Sequence, residues 1–269
     1  MQDIEDDNWK PGDPDPLVTE YEVRDLYQRY GFRHHYPFGP MVTTSLMPKA
    51  SVAVINEWAD KAFAGELEAH DMSKNLVGKQ KQELLLPEQV AKDSGLWSWL
   101  QASANMYFQT WAASTAEMNA GFGPSAPTLK GVSIDSIWVN QAFAGDYNFM
   151  HTHTGTVSGI LYLKFPQEIK KEQIEGKQGV DNLPKNFYNG ATQIIGPNLM
   201  AHFLNNNRMD ITDPVQGLFV MFPSWCYHSV MPFYSPDVER RTLSYNLTFD
   251  FEEHKGTNPK DAMQTNNQG

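Results

Sequence analysis

The sequence predicts a mainly β protein, with a sandwich or barrel of the jelly-roll type in the C-terminal half and helices before it. In the first third, apolar residues recur at helical spacing. From residue 131 onward, short runs rich in β-branched and aromatic residues alternate with glycine- and proline-containing turns. The 269 residues, 41% of them hydrophobic, are enough to bury a large core.

Two helices are predicted before the β-rich part. The first is marked by apolar residues spaced about one helical turn apart: Val52, Ile55, Trp58 and Ala62. Ser51 is the predicted cap of this helix and Gly65 its end. The second helix covers residues 95–113, where four apolar side chains share one face: Leu96, Leu100, Tyr107 and Trp111. Both stripes indicate packing in the core.

Four later segments predict strands, each bounded by glycine or proline: 132–144, 157–165, 218–222 and 240–251. The stretch from 167 to 216 is too long for an ordinary loop, so we expect it to hold extra strands or a lid. We therefore expect one domain over 19–251, with a helical part at about 45–120 and a jelly-roll core at about 131–251.

Both ends have compositions that gain little from packing. Residues 1–18 are acidic and contain Pro11, Pro14 and Pro16, and residues 252–269 are polar. We expect both segments to be flexible.

Composition also limits the classes of partner. The formal net charge is −11 and no Lys/Arg-rich stretch stands out, so we expect no nucleic-acid partner. The single cysteine, Cys226, excludes intrachain disulfides and multi-thiolate zinc sites. The N-terminus is acidic where a signal peptide is basic, and no run approaches about 20 apolar residues. We expect a cytoplasmic protein that does not enter membranes.

The segment 148–159 contains two histidines separated by one residue, and this spacing predicts a metal site. In a strand, His151 and His153 would project from the same face. Thr154 and Gly155 predict a tight hairpin into the next strand. His228, after the apolar strand 218–222, is the best third ligand, since a jelly roll pairs distant strands. The alternative is a pair of exposed or hydrogen-bonded histidines without a metal.

The other histidines are not expected to be ligands: His34, His35, His70, His202 and His254.

The segment 239–246 predicts a polar face on the last strand. Alternation places four polar side chains on one face: Arg240, Thr242, Ser244 and Asn246. Leu243 and Tyr245 would pack against another layer, so Arg240 would point into the barrel. A buried guanidinium needs an anion. Either a carboxylate-bearing co-substrate or a structural Asp or Glu meets that need, and from geometry alone the two are nearly even.

Four motifs in this order resemble the 2-oxoglutarate and Fe(II)-dependent oxygenases: Gly145-x5-His151-x-His153, 158–163 (SGILYL), 222–228 (FPSWCYH) and Arg240-x3-Ser244-x-Asn246. The likeness covers roughly residues 72–250. It is nearest to prolyl-hydroxylase-like members, in a branch found in phages and marine bacteria.

The resemblance implies a double-stranded β-helix with N-terminal helices packed on it. It also implies that His151 and His228 bind Fe(II), that His153 stands where relatives have an aspartate ligand, and that Arg240 holds the far carboxylate of 2-oxoglutarate. Ser244 and Asn246 share the face of Arg240 and could assist it. We expect His153 to be the third ligand, with Asp146 as the fallback carboxylate.

The implied reaction couples oxidative decarboxylation of 2-oxoglutarate to succinate with hydroxylation by O2 of a protein side chain, such as proline, or of a small molecule. Loss of the carboxylate leaves halogenation as a lesser alternative. A cupin-type metalloenzyme and a non-catalytic jelly-roll binding module are the rival hypotheses.

Three further expectations concern the residues beside the histidines, the oligomeric state and the location in the cell. Tyr147, Trp225 and Tyr227 flank the histidines as pocket walls or, more simply, as rim packing. Exposed edge strands favour a homodimer. A phage-encoded chain would act in the cytoplasm of the host cell.

Overall fold

The computed structural model describes residues 19–23, 30, 32–35, 40–75, 77–118, 128–175, 188–196 and 208–252. The predicted flexible segments 1–18 and 252–269 lie outside these residues, apart from Glu252. His202 and His254 also lie outside them, and the side chains of His34 and His35 are not described.

Eleven strands are found within the described residues. They are β1 Arg33–His35, β2 Val42–Leu46, β3 Gln82–Leu85, β4 Leu129–Ala142, β5 Asn148–His151, β6 Val157–Lys164, β7 Thr192–Ile195, β8 Arg208–Ile211, β9 Leu218–Pro223, β10 Tyr227–Val230 and β11 Arg240–Phe251. The helices are α1 Lys49–Phe63, α2 Glu88–Asp93, α3 Leu96–Met118 and α4 Gln167–Glu175, with a single 3-10 turn at Ser73–Asn75. None of the helices that the structure describes is both long and apolar enough to cross a bilayer.

The strands form two antiparallel sheets that face each other. The seven-stranded sheet has the order β1-β2-β9-β6-β11-β4-β3, and the four-stranded sheet has the order β5-β10-β7-β8. Each sheet also pairs strands that are distant in sequence, such as β2 with β9, β4 with β11 and β5 with β10, as in a jelly roll. This arrangement confirms the predicted fold class, a double-stranded β-helix carrying helices. The four predicted strands are confirmed as β4, β6, β9 and β11, and the 167–216 stretch contributes α4, β7 and β8.

The main core lies between the helices and the outer face of the seven-stranded sheet. Trp99 of α3 and Ile55 of α1 are fully buried there, together with Leu243 and Tyr245 of β11. Tyr245 stacks on Phe219 with ring centroids 5.4 Å apart. Leu243 and Tyr245 therefore pack away from the barrel interior, as predicted, and leave the alternate residues of β11 to face the second sheet.

Two details of the helix predictions were wrong. The residue that caps α1 is Pro48, whereas Ser51 is buried one turn further on, with its hydroxyl 3.4 Å from that of Tyr21. Trp111 is 37% exposed and packs only against the edge of the core through Phe108. The predicted end of α1 is confirmed, since Gly65 follows the C-cap with a φ of 76° that favours glycine.

Candidate active site

Two of the predicted metal ligands lie on neighbouring strands of the four-stranded sheet. His228 of β10 is the direct cross-strand partner of His151 of β5, and their ring centroids are 4.2 Å apart. The ladder shifts register between His228 and Val230, which adds a local twist beside the site. Strands 77 residues apart in sequence thus hold the two imidazoles together.

His153 reaches the site by a different route from the one predicted. β5 ends at His151, and the chain then crosses from the four-stranded sheet to β6 in the seven-stranded sheet. The predicted hairpin at Thr154–Gly155 was therefore wrong, because β5 and β6 do not pair. Gly155 has a φ of 89° at this crossing, where a Cβ atom would lie 2.8 Å from the carbonyl oxygen of Leu247.

Hydrogen bonds fix this crossing against the segment that leads into His228. The backbone N–H of His153 donates to the Ser224 carbonyl at 3.0 Å, and the Ser224 hydroxyl donates to the Gly155 carbonyl at 2.6 Å. The His153 ring also packs edge-on against Trp138, with centroids 5.5 Å apart. The position of His153 is thus set by backbone contacts and packing.

The ligand atoms of His151, His153 and His228 lie within 4.8 Å of one another. No carboxylate joins this group among the residues that the structure describes. Asp146, the predicted fallback, is buried in a turn in which its Oδ2 accepts the Phe143 N–H at 2.9 Å.

The hydrogen bonds of two rings determine which nitrogen faces the site. His151 Nδ1 lies 2.6 Å from the Phe149 carbonyl oxygen, and His228 Nδ1 lies 3.1 Å from that of Cys226. A carbonyl oxygen can only accept, so Nδ1 carries the proton in both rings. The Nε2 lone pairs are left free to bind a metal.

Burial keeps the three imidazoles neutral. It lowers the pKa of His151, and it lowers the pKa of His153 to about 4, with the neighbouring His151 as a second cause. The pKa of His228 is lowered further, to about 3, again mainly by burial. Three neutral nitrogen donors at close range suit Fe(II) and the other divalent ions that imidazole binds.

The histidines line a cavity of about 460 Å³ between the two sheets. All four polar residues of the β11 face also line it, as predicted: Arg240, Thr242, Ser244 and Asn246. Ser244 Oγ accepts a hydrogen bond from the Asn140 side chain at 2.9 Å, and Asn246 Oδ1 accepts one from the Ser158 hydroxyl at 2.7 Å. Ser244 and Asn246 are therefore already engaged with other side chains.

Arg240 is a buried cation without an anionic partner. It is 2% exposed, and no carboxylate pairs with it in the described part of the chain. Its Nη2 donates to Thr192 Oγ1 at 3.1 Å, its guanidinium lies over the Tyr162 ring at 5.5 Å, and its Nε has no partner. Burial lowers its pKa, but a guanidinium stays charged in proteins. The cavity therefore offers a fixed positive charge that needs an anion.

The adjacent Arg241 shows the contrasting arrangement. It is equally buried on the opposite face of β11, but its Nε donates to Glu239 at 2.6 Å and its Nη2 to Asp60 at 2.8 Å. A structural ion pair with an Asp or Glu was one of the two alternatives for Arg240. Such ion pairs are formed by Arg241, whereas Arg240 forms none with the described residues.

Several cavity residues were missed by sequence reasoning. Thr192 and Tyr162 support Arg240, and the Tyr162 hydroxyl donates to Thr192 Oγ1 at 2.7 Å. Tyr162 shares the face of Ser158 by strand alternation, so its position could have been found, whereas Thr192 lies in the 167–216 stretch without a signal. Trp225 and Tyr227 do not line the cavity, and both are about half exposed.

Residues 136–246 match the family described as "Putative 2OG-Fe(II) oxygenase". No curated protein matches the chain. Similar solved structures include a prolyl-4-hydroxylase from Pseudomonas putida, with 18% identity, 86% of this chain and 97% of that chain covered, and a TM-score of 0.40.

Two further structures are prolyl hydroxylases. One, from Trichoplax adhaerens, is in complex with a hypoxia inducible factor oxygen degradation domain peptide fragment; it is 15% identical, with 90% of each chain covered and a TM-score of 0.41. The other is a viral collagen prolyl hydroxylase from Paramecium Bursaria Chlorella virus-1 in a 2OG complex; it is 11% identical, with 77% of this chain and 94% of that chain covered and a TM-score of 0.40. The family match over 136–246, the segment that holds the histidines and Arg240, confirms the resemblance to the 2-oxoglutarate and Fe(II)-dependent oxygenases.

Proposed function

We propose that this chain is a hydroxylase in which His151, His153 and His228 hold Fe(II) and Arg240 holds the far carboxylate of 2-oxoglutarate. The net reaction converts 2-oxoglutarate, O2 and a C–H group into succinate, CO2 and a C–OH group. The substrate is a peptide side chain or a small molecule.

The observation that carries this proposal is the presence of a guanidinium without an anionic partner and three neutral imidazoles in one cavity. Arg240 and the histidines line the same cavity, whereas the carboxylates of Asp60 and Glu239 pair with the neighbouring Arg241. A dianion with a metal-chelating end and a free carboxylate end meets both demands. The bidentate geometry of a guanidinium suits that carboxylate better than an ammonium would.

The protein residues have separable tasks in this reaction. Bound Fe(II) would supply the oxidative chemistry that protein side chains lack. The Phe149 and Cys226 carbonyls hold two imidazoles in the tautomer that exposes Nε2. Thr192 Oγ1 accepts hydrogen bonds from both Arg240 and Tyr162, so its own proton is free to donate to an anion in the cavity. Phe222 and Ile160 supply apolar wall that limits water around the reacting groups.

The three-histidine arrangement favours hydroxylation over halogenation. Halogenation requires a coordination position on the metal for a halide, and the missing carboxylate ligand would leave such a position vacant. The His153 imidazole lies in that place, within 4.8 Å of the other two ligand atoms. A halide would have to displace it.

The rival functions are less well supported. A cupin would add a glutamate to the histidines, and no carboxylate joins the group among the described residues. A binding module without catalysis would leave the three convergent imidazoles beside the Arg240 charge unexplained.

The decisive experiment measures succinate formed from 2-oxoglutarate with added Fe(II) and O2, with and without ascorbate. We expect succinate in the wild type, none in His228→Ala, and in Arg240→Gln succinate only at a much higher concentration of 2-oxoglutarate. Metal binding that is independent of 2-oxoglutarate, with no succinate under any condition, would instead support a cupin.

The homodimer, the cytoplasmic location, the lack of nucleic-acid and membrane partners and the single domain over 19–251 remain proposals. Light scattering of the purified chain tests the first of them directly.

A further inference from the structure

The cavity has a second polar end, which the proposed co-substrate does not use. Glu83 of β3 and Asn148 of β5 line this end, together with Gln80 between β3 and the 3-10 turn. Glu83 is only 6% exposed, and among the described residues no hydrogen bond or opposite charge acts on the pKa of its carboxyl group. Gln80 Oε1 and Asn148 Oδ1 are likewise buried without partners. Two unsatisfied amide oxygens and a carboxyl group without a recorded partner thus line one space.

Strand register in both sheets places this end across the strands from Arg240. In the seven-stranded sheet Glu83 is opposite Asn140, which is opposite Thr242, so Glu83 and Thr242 are two strands or roughly 10 Å apart. In the other sheet Asn148 is opposite Val230, which is opposite Thr192, the partner of Arg240. His228 lies on the strand between them. The cavity therefore has an Arg240 end and a Glu83 end at the same level across the strands, and His228 and His151 lie two and three residues further along β10 and β5.

Hydrogen bonds of the backbone fix the segments that form the Glu83 end of the cavity. Lys79 and Tyr147 exchange both backbone hydrogen bonds, at 2.9 and 2.7 Å, so the segment 77–80 is tied to the start of β5. Gly78 packs so closely there that a Cβ atom would collide with the Tyr147 carbonyl. The Glu83 N–H donates to the Ser73 hydroxyl at 3.0 Å. The unpartnered oxygens are thus held in place before any substrate arrives.

A buried carboxyl group without a partner lacks the compensation that burial of a charge requires. Burial raises the pKa of Glu83 to about 7, with the nearby Asp71 carboxylate as a second cause. A positively charged hydrogen-bond donor beside Glu83 would compensate both for the burial of the carboxylate and for its repulsion from Asp71. Met72, Val77 and Trp138 line the same region and suit the apolar stem of such a ligand.

We propose that Glu83, Gln80 and Asn148 bind the substrate of this enzyme and select one that carries a cationic nitrogen, an ammonium or guanidinium group, on an apolar stem. This inference rests on the proposed function, which assigns the Arg240 end to 2-oxoglutarate and so leaves the Glu83 end for the substrate. A proline side chain in a peptide has no such cation, so the inference narrows the substrate class to basic side chains and amines.

The test uses pairs of compounds that differ in charge but little in shape: arginine and citrulline, lysine and 6-hydroxynorleucine, butylamine and butanol. Their dissociation constants are measured calorimetrically on the protein loaded anaerobically with Fe(II) and 2-oxoglutarate, and again on the metal-free protein. We expect the cationic member of at least one pair to bind about 10- to 100-fold more tightly, as for charge-assisted hydrogen bonds.

Two variants identify the carboxylate that is responsible. Glu83→Gln should abolish the preference for the cation while 2-oxoglutarate still binds. Asp71→Asn removes a neighbouring carboxylate that is exposed and does not line the cavity, so it should keep the preference. The proposal is overturned if no cation is preferred by the wild type, or if Glu83→Gln keeps the preference. Failure of the proposed function would instead appear as the inability of wild-type protein to bind 2-oxoglutarate, whatever the amine result.

Discussion

His228 lies directly across the β5–β10 ladder from His151, with ring centroids 4.2 Å apart, and each ring donates its Nδ1 proton to the backbone carbonyl two residues earlier in the chain. The same local device thus orients both imidazoles. The metal site therefore depends on the pairing of two strands that are distant in sequence, and not on a contiguous sequence motif.

Loss of any one of the three histidines should weaken metal binding strongly. Removal of groups that only orient a ligand typically costs 10- to 100-fold in affinity, so removal of a ligand should cost more than about 100-fold. Titration with Co(II), followed by its visible absorption, measures this in the alanine variants of His151, His153 and His228. The exposed His70 provides the matched control, and its alanine variant should bind as the wild type does. Unchanged affinity in His153→Ala would remove His153 from the ligand set.

The adjacent arginines of β11 should separate co-substrate binding from stability. Arg240→Gln should weaken 2-oxoglutarate binding by roughly 10- to 100-fold, because a hydrogen-bonded charge contributes about 1.5–3 kcal/mol. Arg241→Gln should leave this affinity unchanged and lower the free energy of unfolding by about 2 kcal/mol, since Glu239 loses a buried partner. Calorimetric titration and urea denaturation measure the two quantities. Equal effects of both variants on affinity would contradict the assignment of Arg240.

Gly159 should be intolerant of any side chain. It lies in β6, where a Cβ atom would collide with the Val220 carbonyl and the Tyr245 hydroxyl that donates to it. Gly159→Ala should therefore destabilise the fold by about 3 kcal/mol or more. Gly131→Ala is the control, because no atom lies within 4 Å of its Cβ position, and it should be neutral or slightly stabilising. Thermal unfolding of both variants checks this, and similar melting temperatures would show that the sheet can shift to make room.

Stability should depend on pH through Glu83. Its pKa is raised from 4.5 to about 7 by burial, so the folded state binds the proton more tightly than the unfolded state. The stabilisation from this proton is complete below pH 4.5 and is lost as the pH rises towards 7. Glu83→Gln should therefore be more stable than the wild type at pH 8, by up to about 3 kcal/mol, and similar to it near pH 4.5. Denaturation at both pH values tests this, and a difference that does not change with pH would argue against a buried acid.

Local patterns in the sequence predicted much of the fold. Alternation in 240–251 correctly placed Arg240 and Asn246 in the cavity and Leu243 and Tyr245 in the core, because the two faces of a strand meet different environments. The crossing after His151 was mistaken for a hairpin, because a Thr-Gly turn looks the same whether the next strand joins its own sheet or the other one.

Partners from distant segments were beyond local patterns. The contact of Arg241 with Glu239, two residues earlier, is local, but its second carboxylate, Asp60, is brought by α1, and sequence periodicity does not contain that information. Thr192 and Glu83 reach the cavity through sheet order alone. Nothing in the sequence distinguishes Glu83 from an acidic residue on the surface. Its burial in the structure is the feature that sets it apart.

The central claim is that His151, His153, His228 and Arg240 form one binding site for Fe(II) and 2-oxoglutarate. It is tested most directly by adding Fe(II) and then 2-oxoglutarate to the protein without oxygen and recording the visible metal-to-ligand charge-transfer absorption. We predict that the band appears in the wild type and in Arg241→Gln, is absent in His228→Ala, and in Arg240→Gln requires a much higher concentration of 2-oxoglutarate. A wild-type protein that binds Fe(II) but shows no such band at any concentration of 2-oxoglutarate would contradict the account.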